Sequence, residues 1–243
     1  MKTMIKKIFL ACLSVTMLVG FQSCNDDDGY SLGDFWISYA TVVREGNTYS
    51  LKLDSGQKLW VGAGWINYNS VDGQRVVADY TILGDNYNGY DHIVKVNYLY
   101  EILTKNVEFV KSEEDDKKFG NDGIPSVNEM WVSNDYLNIK FTYRLPSEAK
   151  AHKVSLVENQ LKESPDDSSI YLEFRYNTYN NNSSYVSNSM ASFNLNTIDL
   201  SGKTGIKILW KNEKGEESTI DVPLKNIDNK KIDVESDKKA NLE

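Results

Sequence analysis

The chain has 243 residues, with 27 Lys or Arg against 35 Asp or Glu, and a formal net charge of −8. This balance, with no basic stripe along the sequence, excludes a protein built to hold nucleic-acid phosphates, which requires clustered Lys and Arg. An apolar fraction of 40% with 12% aromatic residues suffices for a packed core, and beyond Gly20 no apolar run is long enough to cross a bilayer as a helix.

The N-terminus reads in blocks. Lys2, Lys6 and Lys7 give a basic start, Ile8 to Gly20 is an apolar run too short to span a bilayer stably, and Phe21-Gln22-Ser23-Cys24 follows. This is the plan of a secretory signal peptide over residues 1–23 that ends in a lipobox-like sequence. A small residue before the cysteine leaves the scissile bond accessible, and the Cys24 thiol is the nucleophile that accepts the diacylglycerol. Cys12 and Cys24 are the two cysteines. Cys12 leaves with the signal, so the exported chain forms no internal disulfide and Cys24 is free to carry lipid. Acyl chains contribute about 0.8 kcal/mol per buried methylene, so the lipid alone would tie the protein to the membrane. Loss of Lys2, Lys6 and Lys7 leaves 24 basic residues against 35 acidic, a net charge of −11. Residues 24–32, with Asp26, Asp27 and Asp28, form an acidic tether.

The body that follows is β-rich. Asp34 to Val43 is dense in β-branched and aromatic residues, Glu45-Gly46-Asn47 signals a turn, and Tyr49, Leu51 and Leu53 then alternate with Ser50 and Lys52, predicting a hairpin. Leu59 to Val61 is a short strand, and Gly62 and Gly64 bracket Ala63 in a bulged stretch. Arg75 to Leu83 and Asp91 to Thr104 are further strands, separated by a loop from Gly84 to Tyr90. Four or five strands over residues 33–110 predict a small barrel. Lys111 to Ser126, a charged run with two glycines and a proline, reads as a linker.

Beyond it, Leu137, Ile139, Phe141 and Tyr143 alternate with Asn138, Lys140, Thr142 and Arg144, predicting one buried and one wet face. The same period sets Ile170, Leu172, Phe174 and Tyr176 against Tyr171, Glu173 and Arg175, and Ile206, Ile208 and Trp210 against Lys207 and Lys211. With Val127 to Ser133, Ala151 to Val157, Met190 to Leu195 and Ser218 to Leu224, residues 127–226 hold about seven strands, the count of an antiparallel β-sandwich. Asn177 to Ser189 reads as a long polar loop, and residues 227–243 as a polar tail. The fold class is therefore all-β.

The order GDFWISYATVV, WVSNDYLNIKFTYRL, KVSLVE, IYLEFRYNTYN and LSGKTGIKILW resembles the NigD-like lipoproteins of Bacteroidetes over about Gly33 to Leu224. The resemblance implies an N-terminal OB-like domain, a C-terminal β-sandwich and a bacteriocin-associated immunity or accessory role. The family pattern commonly has His after the Arg of its LELRHN-type stretch, where this chain has Tyr176 after Arg175. The Asp26–Asp28 run is similar to the export signals that carry Bacteroidetes lipoproteins to the outer face of the outer membrane, so a lipid-anchored, surface-exposed protein is expected.

Chemistry-bearing motifs are sparse. His92 and His152 are the two histidines, in separate predicted domains, with no Cys or second His at metal-ligand spacing. No Gly-x-Ser-x-Gly elbow, His-Glu-x-x-His or phosphate loop occurs, so no catalytic residue, metal or cofactor is assigned. The aromatic side chains are the more informative feature. Trp36 and Trp210, within alternating strands, read as core; Trp60 and Trp65, beside the glycines, and Tyr87 and Tyr90, in the polar loop, read as a ligand face for a glycan or an envelope protein. The expectation is a non-enzymatic binding or accessory lipoprotein of the envelope. The alternatives are an immunity-type protein and a carbohydrate-binding or carbohydrate-degrading surface protein.

Overall fold

β1 (Trp36–Glu45) is long enough to serve two neighbours. It pairs with β2 (Thr48–Leu53) along Ala40 to Glu45 and with β4 (Arg75–Tyr87) along Trp36 to Thr41. β3 (Lys58–Gly64) runs antiparallel to β2 and parallel to β5 (Tyr90–Glu101), and the β4–β5 hairpin closes a barrel of order β1-β2-β3-β5-β4. The inward positions Ala40, Val42, Leu51, Leu53, Leu59, Val76, Ala78, Val94 and Val96 are no more than 1% exposed. Their removal from water is what holds the barrel. The computed structural model describes residues 30–69, 71–164 and 168–224. The expected signal peptide, Cys24, Asp26, Asp27, Asp28 and the tail over 227–243 lie outside them.

Two tight turns shape one end of the barrel. Glu45 pairs with Thr48 across Gly46-Asn47, with Gly46 at φ 65°. Tyr87 pairs with Tyr90 across Asn88-Gly89, whose φ values of 49° and 86° are those of a type I′ hairpin turn. The segment Gly84 to Tyr90, expected as a loop, is thus mostly strand. Gly64 is required where β3 meets β5: its φ is 80°, and a Cβ there would lie 1.9 Å from the Val96 carbonyl oxygen.

The barrel ends at Glu101, not at residue 110. β6 (Leu103–Asn106) pairs with β12 (Asn182–Asn194) in a sheet of order β6-β12-β9-β8, and β7 (Glu108–Val110) pairs with β10 (Lys153–Asn159) in the facing sheet of order β14-β13-β11-β10-β7. The chain passes between the sheets at Val107, which is 3% exposed within the sandwich core. β8 (Ser126–Ser133), β9 (Tyr136–Pro146), β11 (Ser169–Asn177), β13 (Gly205–Lys211) and β14 (Glu217–Pro223) complete the sandwich. Three pairings, β6 with β12, β7 with β10 and β11 with β13, are parallel, so the sandwich is mixed and not purely antiparallel. Asn182 to Ser189, expected within a polar loop, belongs to β12 and pairs with β9. Trp36 and Trp210 are partly buried against the barrel and sandwich cores.

The expected linker contains a helix, α1 (Glu113–Phe119). Ser112 caps it by accepting from Asp115 N, four acids fill its first turn, Lys117 and Lys118 its last, and Gly120 ends it at φ 65°. That charge order suits the helix dipole. Phe119 is buried with Val110 and Val157. Arg175, on the sheet face expected to be wet, is only 2% exposed because α1 covers it. Its Nη1 donates to Gly120 O at 2.8 Å and its Nη2 to Asp116 Oδ1 at 2.8 Å.

A second polar cluster joins the barrel to the sandwich. Arg75, whose side chain is 0% exposed, donates through both terminal nitrogens to Asp54 at 2.7 and 2.9 Å, and to Thr41 Oγ1 at 2.9 Å. From the sandwich, Asn138 accepts from Arg75 at 3.3 Å, Trp131 Nε1 donates to Asp54 at 3.3 Å, and Asn134 donates to Leu53 O at 2.9 Å. Tyr136 donates to Gly73 O at 2.8 Å. Asn138 is 0% exposed for this reason, although its strand alternation predicts a wet position. The WVSND stretch of β8 and its turn therefore clasps the barrel.

Candidate functional site

The outer side of the barrel around β3 and β5 carries two groups of rings, in which Trp65, Tyr87, Tyr98 and Tyr100 are exposed and Trp60 and Tyr90 half-buried. Leu59 and Val61 point into the core on either side of Trp60, so Trp60 faces outward with its register partners Ser50 and Ile93. The type I′ turn brings Tyr90 and Tyr87 to it: the Trp60 ring lies 5.3 Å from the Tyr90 ring and 6.2 Å from the Tyr87 ring. Tyr90 donates to a Glu45 carboxylate oxygen that also accepts from Ser50 at 3.1 Å. Burial, and then the bond to Glu45, raise the Tyr90 pKa above its ordinary value. Its hydroxyl therefore stays a donor fixed on Glu45, and the rings form a platform between the two tight turns.

Trp65, expected in the same cluster, stands apart. It follows the end of β3 and packs at 5.0 Å against Tyr98, which lies 4.3 Å from Tyr100. These three side chains belong to residues 40%, 42% and 59% exposed. The turn that carries Trp65 is fixed from below. Buried Tyr49 donates to Trp65 O at 2.7 Å, Tyr68 packs on the barrel core, and Tyr68 donates to Glu101. Burial pushes the Tyr49 pKa up to about 12, and burial followed by the Glu101 bond raises that of Tyr68. The predicted face is thus two ring clusters. Tyr98 and Tyr100 were legible as outward positions of a strand, but nothing in the sequence ties them to Trp65.

The histidines have local partners. His92 Nδ1 is 2.6 Å from Asp85 and its Nε2 is 3.2 Å from Gln57. His152 Nε2 meets the Asn181 carbonyl at 2.7 Å, which places a proton on that nitrogen, and its Nδ1 is 2.5 Å from the hydroxyl of Tyr176. Burial pushes Tyr176 up to about 12. The position where the family pattern has His is thus occupied by a buried tyrosine on His152. Among the described residues, no group of three or more His, Cys, Asp or Glu is placed to hold a metal ion, and no helix is long and apolar enough to cross a membrane.

A closed five-stranded OB barrel that feeds a β-sandwich, with exposed ring clusters on the barrel, defines a two-domain all-β protein. The chain belongs to the NigD-like family: the NigD-like N-terminal OB domain matches residues 39–102 and the NigD-like C-terminal β-sandwich domain residues 106–224. It is similar to a solved protein of unknown function from Bacteroides vulgatus, with 28% identity, 78% of this chain and 90% of that one covered, and a TM-score of 0.67. It is also similar to a protein from Parabacteroides distasonis described as toxin related, with 32% identity, 78% and 94% covered, and a TM-score of 0.65. A NigD-like immunity protein from Bacteroides caccae shares the fold at 18% identity, with 76% and 91% covered and a TM-score of 0.57. No curated protein matches the chain.

Proposed function

We propose that this protein is a non-enzymatic binding module of the cell envelope, held to the outer membrane through lipid on Cys24, with the Trp60 side of its barrel as the ligand face and a glycan as the ligand. The observation that carries this reading is the Trp60–Tyr87–Tyr90 platform, set on β3 between the β1–β2 and β4–β5 turns. That is the region through which OB barrels take oligosaccharides. Its polar groups bond to one another, Glu45 accepting from Tyr90 and Ser50, which suits a surface that stacks a ligand rather than one that transforms it. Native electrophoresis through gels containing soluble polysaccharide tests the reading. Retardation of the intact protein that Trp60→Ala removes is expected; equal mobility of both proteins with and without every neutral polysaccharide tried would count against it.

The anchor has its own test. On intact cells, added protease should digest the wild type and spare a variant with Asp26, Asp27 and Asp28 replaced by alanine. Protection of both would place the body on the periplasmic side.

A second reading, an immunity-type protein that intercepts a toxin, is favoured by the resemblance to proteins described as toxin related and as an immunity protein. It predicts that deletion sensitises cells to bacteriocins of neighbouring strains, and unchanged sensitivity would remove it.

A further inference from the structure

We infer that the two ring clusters are the ends of one extended site, and that its ligand is a linear, neutral polysaccharide held across both. This rests on the glycan-binding reading above and names the shape and charge of the ligand.

The register puts both clusters on one outer face. Trp60 pairs with Ile93, and Ala63 with Lys95, while Leu59, Val61, Val94 and Val96 between them are buried. After the irregularity at Asn97, Tyr98 and Tyr100 flank buried Leu99 and so continue the outer face of β5. From Ile93, beside Trp60, to Tyr98, against Trp65, β5 advances five residues, roughly 16 Å at the usual strand rise. Between the clusters the outer face carries Gly62, over which the Ile93 side chain lies, then Ala63 and exposed Lys95. A compact ligand would touch one cluster, whereas an extended chain lies along the strands and reaches both.

Charge and chemistry select the class of chain. Glu45, bonded to Tyr90, stands at the Trp60 end and exposed Lys95 lies between the clusters, whereas Glu101, bonded to Tyr68, is on the side of buried Leu99. The face thus holds fixed charges of both signs, Glu45 and Lys95, and a polymer of either sign would meet like charge at one of them. Aromatic faces that flank fixed acceptors suit uncharged rings bearing hydroxyl groups, with apolar faces to stack and hydroxyls to donate. Both clusters are anchored before any ligand arrives, by the Tyr90 and Tyr49 hydroxyl bonds, so little ordering remains to oppose binding.

Isothermal titration with β-1,4-linked gluco- and xylo-oligosaccharides from disaccharide to octasaccharide tests the proposal on the intact protein. Two linked contacts act through effective concentration, so affinity should rise by about tenfold or more once the chain spans both clusters and then level off. Trp65→Ala with Tyr98→Ala should abolish that rise. Polygalacturonate of similar length should bind more weakly than the neutral chains. Affinity that is flat with length and indifferent to the Trp65/Tyr98 substitutions would overturn the extended site yet leave a Trp60 platform standing. Absence of binding across the whole series, with no retardation in polysaccharide gels, would overturn both. Thermal melts of each variant confirm that the exposed substitutions leave the fold intact.

Discussion

The barrel meets two kinds of surroundings with the same residue types, and the contrast separates structure from function. At the joint, Tyr39, Trp131 and Lys140 pack against one another beside the Arg75–Asp54 pair. Asn138, at 0% exposure, is completed by Ser192, Ser133 and Arg75. On the β3–β5 ribbon, Trp65, Tyr98 and Tyr100 also pack against one another, yet each presents two-fifths or more of its surface to water. Rings at the joint are consumed by partners within the chain. Trp65, Tyr98 and Tyr100 are positioned but left open, the condition of a surface available to a ligand, while Trp60 and Tyr90 are half-buried beside them.

The contrast breaks most sharply at Asp54. Asp54→Ala would leave the Arg75 guanidinium buried without its carboxylate, and a loss of about 3–5 kcal/mol is expected by chemical denaturation. A loss under about 1 kcal/mol would mean that the joint relaxes and that the two domains are held by packing alone. Next in size, Tyr136→Phe removes the bond to Gly73 and should cost about 1 kcal/mol.

The pH dependence of stability sharpens the comparison from inside the cores. Tyr49 in the barrel and Tyr176 in the sandwich both have pKa values raised by burial from 10.0 to about 12. A raised folded-state pKa means that the folded form retains the proton longer, so this stability is complete below pH 10.0 and declines as pH rises toward about 12. Melting temperature should therefore fall over that alkaline window, and Tyr49→Phe should blunt the fall. The smallest effect on stability belongs to the ribbon. Tyr98→Ala should change it by no more than about 0.5 kcal/mol while still weakening the binding of long glycans.

Much of the fold was legible in period-two alternation, because barrel and sandwich cores are built from strands that bury one side. The misreadings have physical causes. Asn88-Gly89 is a strong type I′ signal, but Gly84 and the four polar or aromatic residues Asp85, Asn86, Tyr87 and Tyr90 around it made the segment resemble a loop. Ser112 with Asp115 three residues on is a helix cap, hidden within a charge run that also suits a linker. Asn138 and Arg175 lie on faces that alternation assigns to solvent, and only long-range packing, by the barrel in one case and α1 in the other, buries them. Of the candidate site, Trp60, Tyr87 and Tyr90 come together because one hairpin turn delivers two of them. Trp65 separates from them because the strand runs on past Trp60 before the turn that holds it.

The central claim is that the ribbon face binds while the joint supports. One pair of experiments on Trp60→Ala tests it directly: thermal melting alongside retardation in polysaccharide gels. Retardation should be lost, with a melting temperature reduced far less than in Asp54→Ala. Retardation equal to wild type, or a melting temperature lowered as far as in Asp54→Ala, would contradict it and make Trp60 another structural ring.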